Sequence, residues 1–203
     1  MPGHAHLEAY RAAVVDHGPG FAATLWGSPE TQSLRFDVMH EMVGGFGGLH
    51  LLDVGCGDGA LVTWLGARGE RPARYVGIDA LAEQIEVARS RAPAWASFEQ
   101  CDVSNNWSTS TRFDWVLVSG TINTMDQSLA EAVLRTAWQA CEIGLVFNFL
   151  SDRPHARWRG RDLGPAHRFH LPAWCAWALE RTPLVACRQD YLDGHDATIT
   201  MRR

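Results

Sequence analysis

The chain has 203 residues, 46% apolar and 20% charged, a size suited to one well-buried core and short for two. Its formal net charge is -5, and all 18 cationic residues are Arg, so no chain-wide basic field exists to hold a nucleic acid. The five cysteines (Cys56, Cys101, Cys141, Cys175, Cys187) are odd in number and lack a C-x-x-C pair, which argues against a disulfide framework or a zinc site. The N-terminus has no signal-like apolar run and no stretch approaches the ~20 residues of a membrane span. A soluble, cytoplasmic protein with no metal, DNA or membrane partner is expected.

In chain order, residues 4–17 and 29–43 are predicted as helices. Ser28-Pro29-Glu30 gives the second a cap, a proline at its first position and an early acid. Leu34, Val38 and Met42 recur at helical spacing and predict its apolar face. After Gly44–Gly48, short apolar runs alternate with helical segments. Strands are predicted at 49–54, 73–79, 95–101, 113–120 and 143–150, with helices from about Ala60, at 81–91 and at 126–141. Continuously apolar strands separated by helices indicate an α/β, mostly parallel sheet covered on both faces. The polar link from Asp102 to Arg112 is too short for a full crossover helix. A helix at 171–181 precedes strands at 184–192 and 196–203, joined by Asp193-Gly194-His195, so an antiparallel pair is expected to close the sheet.

Asp53-Val54-Gly55-Cys56-Gly57-Asp58-Gly59-Ala60 stands where the first strand turns into a helix. Glycines there let the backbone turn tightly and approach a ligand at the positive helix N-terminus. Gly55-x-Gly57-x-x-Ala60 also satisfies the dinucleotide fingerprint, so the loop by itself leaves a nicotinamide-dependent oxidoreductase open. The acids help to separate the readings. Asp53 and Asp58 flank the loop, where a pyrophosphate meets two unfavourable carboxylates, whereas the sulfonium and ammonium of S-adenosylmethionine are favoured. Asp79 ends the second strand, suited to both ribose hydroxyls, and Asp102 follows the third, within reach of an adenine amino group.

The set LLDVGCGDG, YVGID, CDV and FDWVLVSG, in that order over residues 49–150, resembles motifs I to IV of class I S-adenosylmethionine-dependent methyltransferases. The resemblance is to small single-domain members of that superfamily, and the antiparallel ending is similar to that fold's last two strands. It implies a Rossmann-like doubly wound sheet with N-terminal lid helices. The corresponding division of one domain, 1–203, is lid helices at 1–48, cofactor-binding core at 49–150, substrate cap at 151–170 and sheet-closing helix and hairpin at 171–203. It also implies roles. Gly55, Cys56 and Gly57 pass the methionyl part of S-adenosyl-L-methionine, with Asp53 shaping the loop. Asp79 holds the ribose beside Ala80, Asp102 and the Val103 amide hold the adenine, and Ser119-Gly120 holds the amino group. In the lid, Arg35 is either a partner of the cofactor carboxylate or a solvated helix arginine. Trp26 either caps the pocket or staples the helix.

Acceptor groups are expected after the fourth and fifth strands, where Asn123 and Asn148 lie, and in the cap. The chain has neither the N-P-P-[YF] tetrapeptide of adenine amino-methyltransferases nor the Pro-Cys nucleophile of cytosine C5 enzymes, which argues against DNA. His155, His167 and His170 are candidates for a general base, with His155 and His170 preferred. His195 and the other five histidines read as scattered surface or core residues. Five arginines fall between 153 and 168, and Arg157, Arg159 and Arg161 suggest either a clamp for a small anionic acceptor or a solvated loop. The expected activity is O- or N-methylation of a small molecule; the alternative is a catalytically degenerate S-adenosylmethionine sensor or partner subunit.

Overall fold

Strands buried along nearly their whole length need cover on both faces, and the chain supplies it from helices before, between and after them. The computed structural model describes residues 5–105 and 107–203. The elements are α1 (Ala5–His17), α2 (Pro29–Val43), β1 (His50–Val54), α3 (Ala60–Ala67), β2 (Arg74–Asp79), α4 (Ala82–Ser90) and β3 (Ala96–Gln100). They continue with β4 (Phe113–Ser119), α5 (Gln127–Ala140), β5 (Cys141–Leu150), α6 (Leu171–Leu179), β6 (Val185–Arg188) and β7 (Asp196–Arg202). His4, where the first helix was expected to begin, lies outside the described residues. No helix is found between β3 and β4 among the described residues, in keeping with the short polar link.

The seven strands form one sheet in the order β3-β2-β1-β4-β5-β7-β6. β1 to β5 are parallel, and β7 enters antiparallel between β5 and β6. Because β7 runs the other way, its first residue, Asp196, lies opposite Leu150, the last residue of β5. The start of β7 therefore sits at the same edge as the carboxyl ends of the parallel strands.

On one face Val54, Val118, Phe147 and Phe149 pack with Leu134 of α5 and Trp174 and Trp177 of α6. On the other, Leu51, Tyr75, Trp115 and Leu117 pack with Phe36 and Met39 of α2, Leu65 of α3 and Ile85 of α4. Trp174 is fully buried, and truncating such a side chain to Ala costs about 3–5 kcal/mol. Ser28 caps α2 as expected, its Oγ accepting from the Thr31 N–H at 3.2 Å. The buried face of α2 differs from expectation: it carries Gln32, Arg35, Phe36, Val38, Met39 and Val43, while Leu34 and Met42 are only half-buried. The displacement follows from what the helix covers, because its two buried polar residues, Gln32 and Arg35, turn toward a cavity rather than toward solvent.

Candidate active site

A cavity of about 370 Å³ opens at the carboxyl ends of β1, β2 and β4. That is where open α/β sheets bind ligands, and the size lies in the range of small-molecule sites. Its walls come from three parts of the chain: the strand ends, the lid formed by α1, α2 and their connection, and the cap after β5.

The β1–α3 loop forms the floor, and two glycines here are demanded by their surroundings. Gly55 has φ +77, and a Cβ on it meets the Thr121 side chain at 2.3 Å. Gly120, after β4, has φ +70, and a Cβ there meets the Trp26 ring at 2.5 Å. The lid indole thus lies directly on the Gly120 backbone. Trp26 is covered in turn by the Arg35 guanidinium, 4.3 Å from the ring centroid. The lid is hooked to the core by Gln84 of α4, which accepts from the Gly20 N–H at 2.7 Å and donates to the Gly20 carbonyl at 3.0 Å.

Three carboxylates face this cavity: Asp53, Asp79 and Asp102. Asp53 is buried and accepts from the Tyr75 hydroxyl at 2.5 Å. Burial pushes its carboxyl up to about 7 against the opposing effect of that hydrogen bond. Asp79 accepts from the Gly57 N–H at 2.9 Å and the Leu81 N–H at 3.0 Å, one bond to each oxygen. These bonds tie the ends of β1 and β2 together and leave each oxygen a lone pair. Burial raises the Asp79 carboxyl as well. Asp102 accepts from the Ser104 N–H and hydroxyl, which shapes the turn after β3. Cys56, Gly57, Ala80, Val103 and Ser119 complete the same wall.

All twelve residues assigned from sequence to the cofactor line this one cavity. Arg35 does so with donors already engaged. Its Nε and Nη2 donate to the two oxygens of Asp196 at 2.5 and 2.8 Å, and its Nη1 to the Thr31 carbonyl at 2.8 Å. Both members of this ion pair are buried. Arg35 is therefore not a solvated arginine: three of its five N–H groups are engaged, and its ion pair joins the lid to the start of β7.

The acceptor side departs further from expectation. Of its two asparagines, Asn123 lines the cavity and accepts from the Leu150 N–H at 3.0 Å. Asn148 is fully buried outside the cavity wall, accepting from the Gly120 N–H at 2.7 Å and donating to the Ser119 hydroxyl at 3.1 Å. It positions the loop after β4 rather than meeting a ligand. His155 and His170 also lie outside the wall. His155 is exposed, its ring accepting from the Arg157 N–H, and His170 is exposed and paired with Asp152 at 2.7 Å. Arg157 pairs with Asp193, Arg161 donates to the Arg157 carbonyl, and Arg159 is exposed. None of the three lines the cavity, so the expected clamp is not formed. The cap does reach the cavity, through Leu163, Gly164, Pro165 and Ala166.

Tyr10 and His195 are among the residues of this wall not expected from the sequence. Tyr10 of α1 lines it, and burial raises its phenol above the ordinary range. His195, immediately before β7, lines it too. The available signal was topological: a residue entering an antiparallel strand beside β5 must lie at the carboxyl edge.

The sheet order and a cavity at this edge define the class I methyltransferase fold. A family model described as a methyltransferase domain matches residues 51–144, a little under half of the chain. It is 35% identical over 79 residues to the ubiquinone biosynthesis O-methyltransferase of Alkalilimnicola ehrlichii, a match covering 35% of this chain and 31% of that protein. Among solved structures, it superposes on DhpI in complex with SAM and HEP at 19% identity and TM-score 0.70, over 100% of this chain and 99% of that one. It also superposes on an S-adenosylmethionine-dependent methyltransferase from Mesorhizobium loti at 17% identity and TM-score 0.64, over 87% of this chain and 99% of that one. Among the described residues, no helix is long and apolar enough to cross a membrane.

Proposed function

We propose that this chain is a single-domain S-adenosylmethionine-dependent methyltransferase acting on the oxygen or nitrogen of a small molecule. The observation that carries this reading is the charge of the cavity. Asp79 and Asp102 converge on it beside Asp53, whose carboxyl burial raises to about 7, while Arg35, a cation in the same wall, is neutralised by Asp196. Such a wall favours a ligand bearing a sulfonium and an ammonium over a pyrophosphate. The loop backbone fits as well, because Gly55 and Gly120 hold positive φ where an added Cβ would collide with Thr121 and Trp26.

In this reading Asp79 holds the ribose hydroxyls, Asp102 and Val103 the adenine, and the Ser119–Gly120 backbone the methionyl amino group. Trp26 covers the methionyl end from the lid. When bound, the cofactor supplies a methyl group already activated on sulfur. The chain's task is then to exclude water and align the acceptor, which supplies much of the rate in such transfers. The lid and the Leu163–Ala166 stretch of the cap, which both line the cavity, serve this task. The Alkalilimnicola relative's name, an O-methyltransferase, favours oxygen.

The test is a methyl-transfer assay across acidic metabolites, phenols and amines, read by release of S-adenosylhomocysteine. Turnover of at least one small oxygen or nitrogen acceptor is expected. Failure of S-adenosylmethionine to bind, or binding with no turnover across the panel, would overturn the reading.

A further inference from the structure

Three groups meet at the start of β7, where the lid, the cap and the sheet edge converge. Arg35 of α2 holds Asp196. Arg168 of the cap holds the residue before it: its Nη1 donates to the carbonyls of Ser151 and His195 at 2.7 and 3.2 Å, and its Nη2 lies 3.0 Å from His195 Nδ1. Trp158 stacks on the His195 ring with centroids 4.2 Å apart. Arg168 is thus the one arginine of the cap group that reaches the site, and it does so through a histidine.

A guanidinium has donors and no acceptor. Facing Arg168, His195 Nδ1 must therefore accept, which leaves the single proton of the neutral ring on Nε2. Burial holds the ring below the ordinary histidine range, and the guanidiniums of Arg168, Arg35 and Arg161 act in the same direction, against the nearby Asp196 carboxylate. His195 is consequently a fixed neutral donor rather than a proton acceptor. It lines the same cavity as Asp53, Asp79 and Asp102, and the charges that act on its ring are three guanidiniums and one carboxylate.

We propose that His195 is an acceptor-recognition residue whose Nε2–H donates to an anionic oxygen of the methyl acceptor, with Arg168 as the positioning residue that sets its tautomer. The acceptor class is then a small molecule bearing a carboxylate or phosphate-type group. This deepens the methyltransferase reading and rests on it, since in that reading the cofactor takes Asp79 and Asp102 and leaves His195 to the acceptor.

The test uses the full chain labelled with 15N-histidine, with and without saturating S-adenosylhomocysteine, the His195 resonances being assigned by loss in His195→Gln. The expected spectrum shows a neutral ring with its proton on Nε2 at neutral pH, and Arg168→Met turns it into a titrating mixture of tautomers. Benzoate, the anionic probe, shifts the His195 signal; benzylamine, the cationic control, does not. His195→Leu weakens benzoate binding about tenfold, the scale of a hydrogen bond to a charged group, while His195→Gln, which keeps a donor at that position, retains most of it. S-adenosylhomocysteine affinity is unchanged in both. A proton on Nδ1, a doubly protonated ring at neutral pH, or equal benzoate binding by the wild type and His195→Leu would overturn the proposal. Absence of S-adenosylhomocysteine binding would instead overturn the methyltransferase reading, because the tautomer and benzoate measurements are also made without it.

Discussion

Two parts of the cavity wall are built by different means. At the strand ends, Gly55, Asp79 and Gly120 stand within a residue or two of the end of a parallel strand, and neighbouring backbone fixes their positions. Elsewhere the wall comes from the lid, the 151–170 segment and the residue before β7, which meet only when distant parts of the chain pack together. In the first case strand spacing dictates geometry. In the second, geometry is set by long-range pairs such as Arg35–Asp196 and Arg168–His195.

The sharpest way to break this contrast is to remove a long-range pair. Arg35→Ala leaves the Asp196 carboxylate buried without its partner, and about 3–5 kcal/mol of stability should be lost, as measured by urea unfolding. A loss below about 1 kcal/mol would mean that the pair does not hold this part of the wall together. At the strand ends, Gly55→Val places a branched side chain at positive φ and against Thr121, costing roughly 3 kcal/mol in stability or S-adenosylhomocysteine affinity. Calorimetry on the folded variant would contradict the floor assignment if affinity and stability both matched the parent.

Asp79→Ala removes a carboxylate assigned to the ribose and should weaken cofactor binding by roughly 1.5–3 kcal/mol. Unchanged affinity in a folded variant would remove that assignment.

A pH effect comes next. The Asp53 carboxyl is raised from 3.8 to about 7 in the folded chain. The folded state therefore holds that proton more tightly than the unfolded state. The stability Asp53 contributes is present in full below about pH 4 and falls as pH rises to about 7, with a slope no steeper than about 1.4 kcal/mol per pH unit. Asp53→Asn should flatten this part of the stability profile in denaturant melts; an identical profile would show that Asp53 does not titrate there.

The smallest effect is expected for the arginines that sequence reading favoured. Replacing Arg157, Arg159 and Arg161 together with Gln should change KM for the acceptor and cofactor affinity by less than about twofold, because exposed pairs contribute little. A large rise in KM would restore the clamp.

This pattern explains what was legible in the sequence. The strand positions and those of Asp53, Asp79, Asp102 and Gly120 could be read because apolar runs fix where strands end. His155, His170 and the cap arginines were misplaced because a loop carries no period that says which way a long side chain turns. Asn148 was placed on the correct strand but in the wrong role, since β5 is buried from Gly144 onward and its amide serves the Gly120 backbone. His195 was passed over for want of one step, the reversed direction of β7. The phase of α2 was misread for a related reason: its buried Gln32 and Arg35 face a polar cavity that hydrophobic periodicity does not register.

In the proposed function the acidic residues of the cavity select S-adenosylmethionine over a dinucleotide. Calorimetric titration of the full chain with S-adenosylhomocysteine and, separately, with NADH tests this most directly. One S-adenosylhomocysteine bound per chain and no detectable heat with NADH are expected. Saturable NADH binding without S-adenosylhomocysteine binding would contradict it.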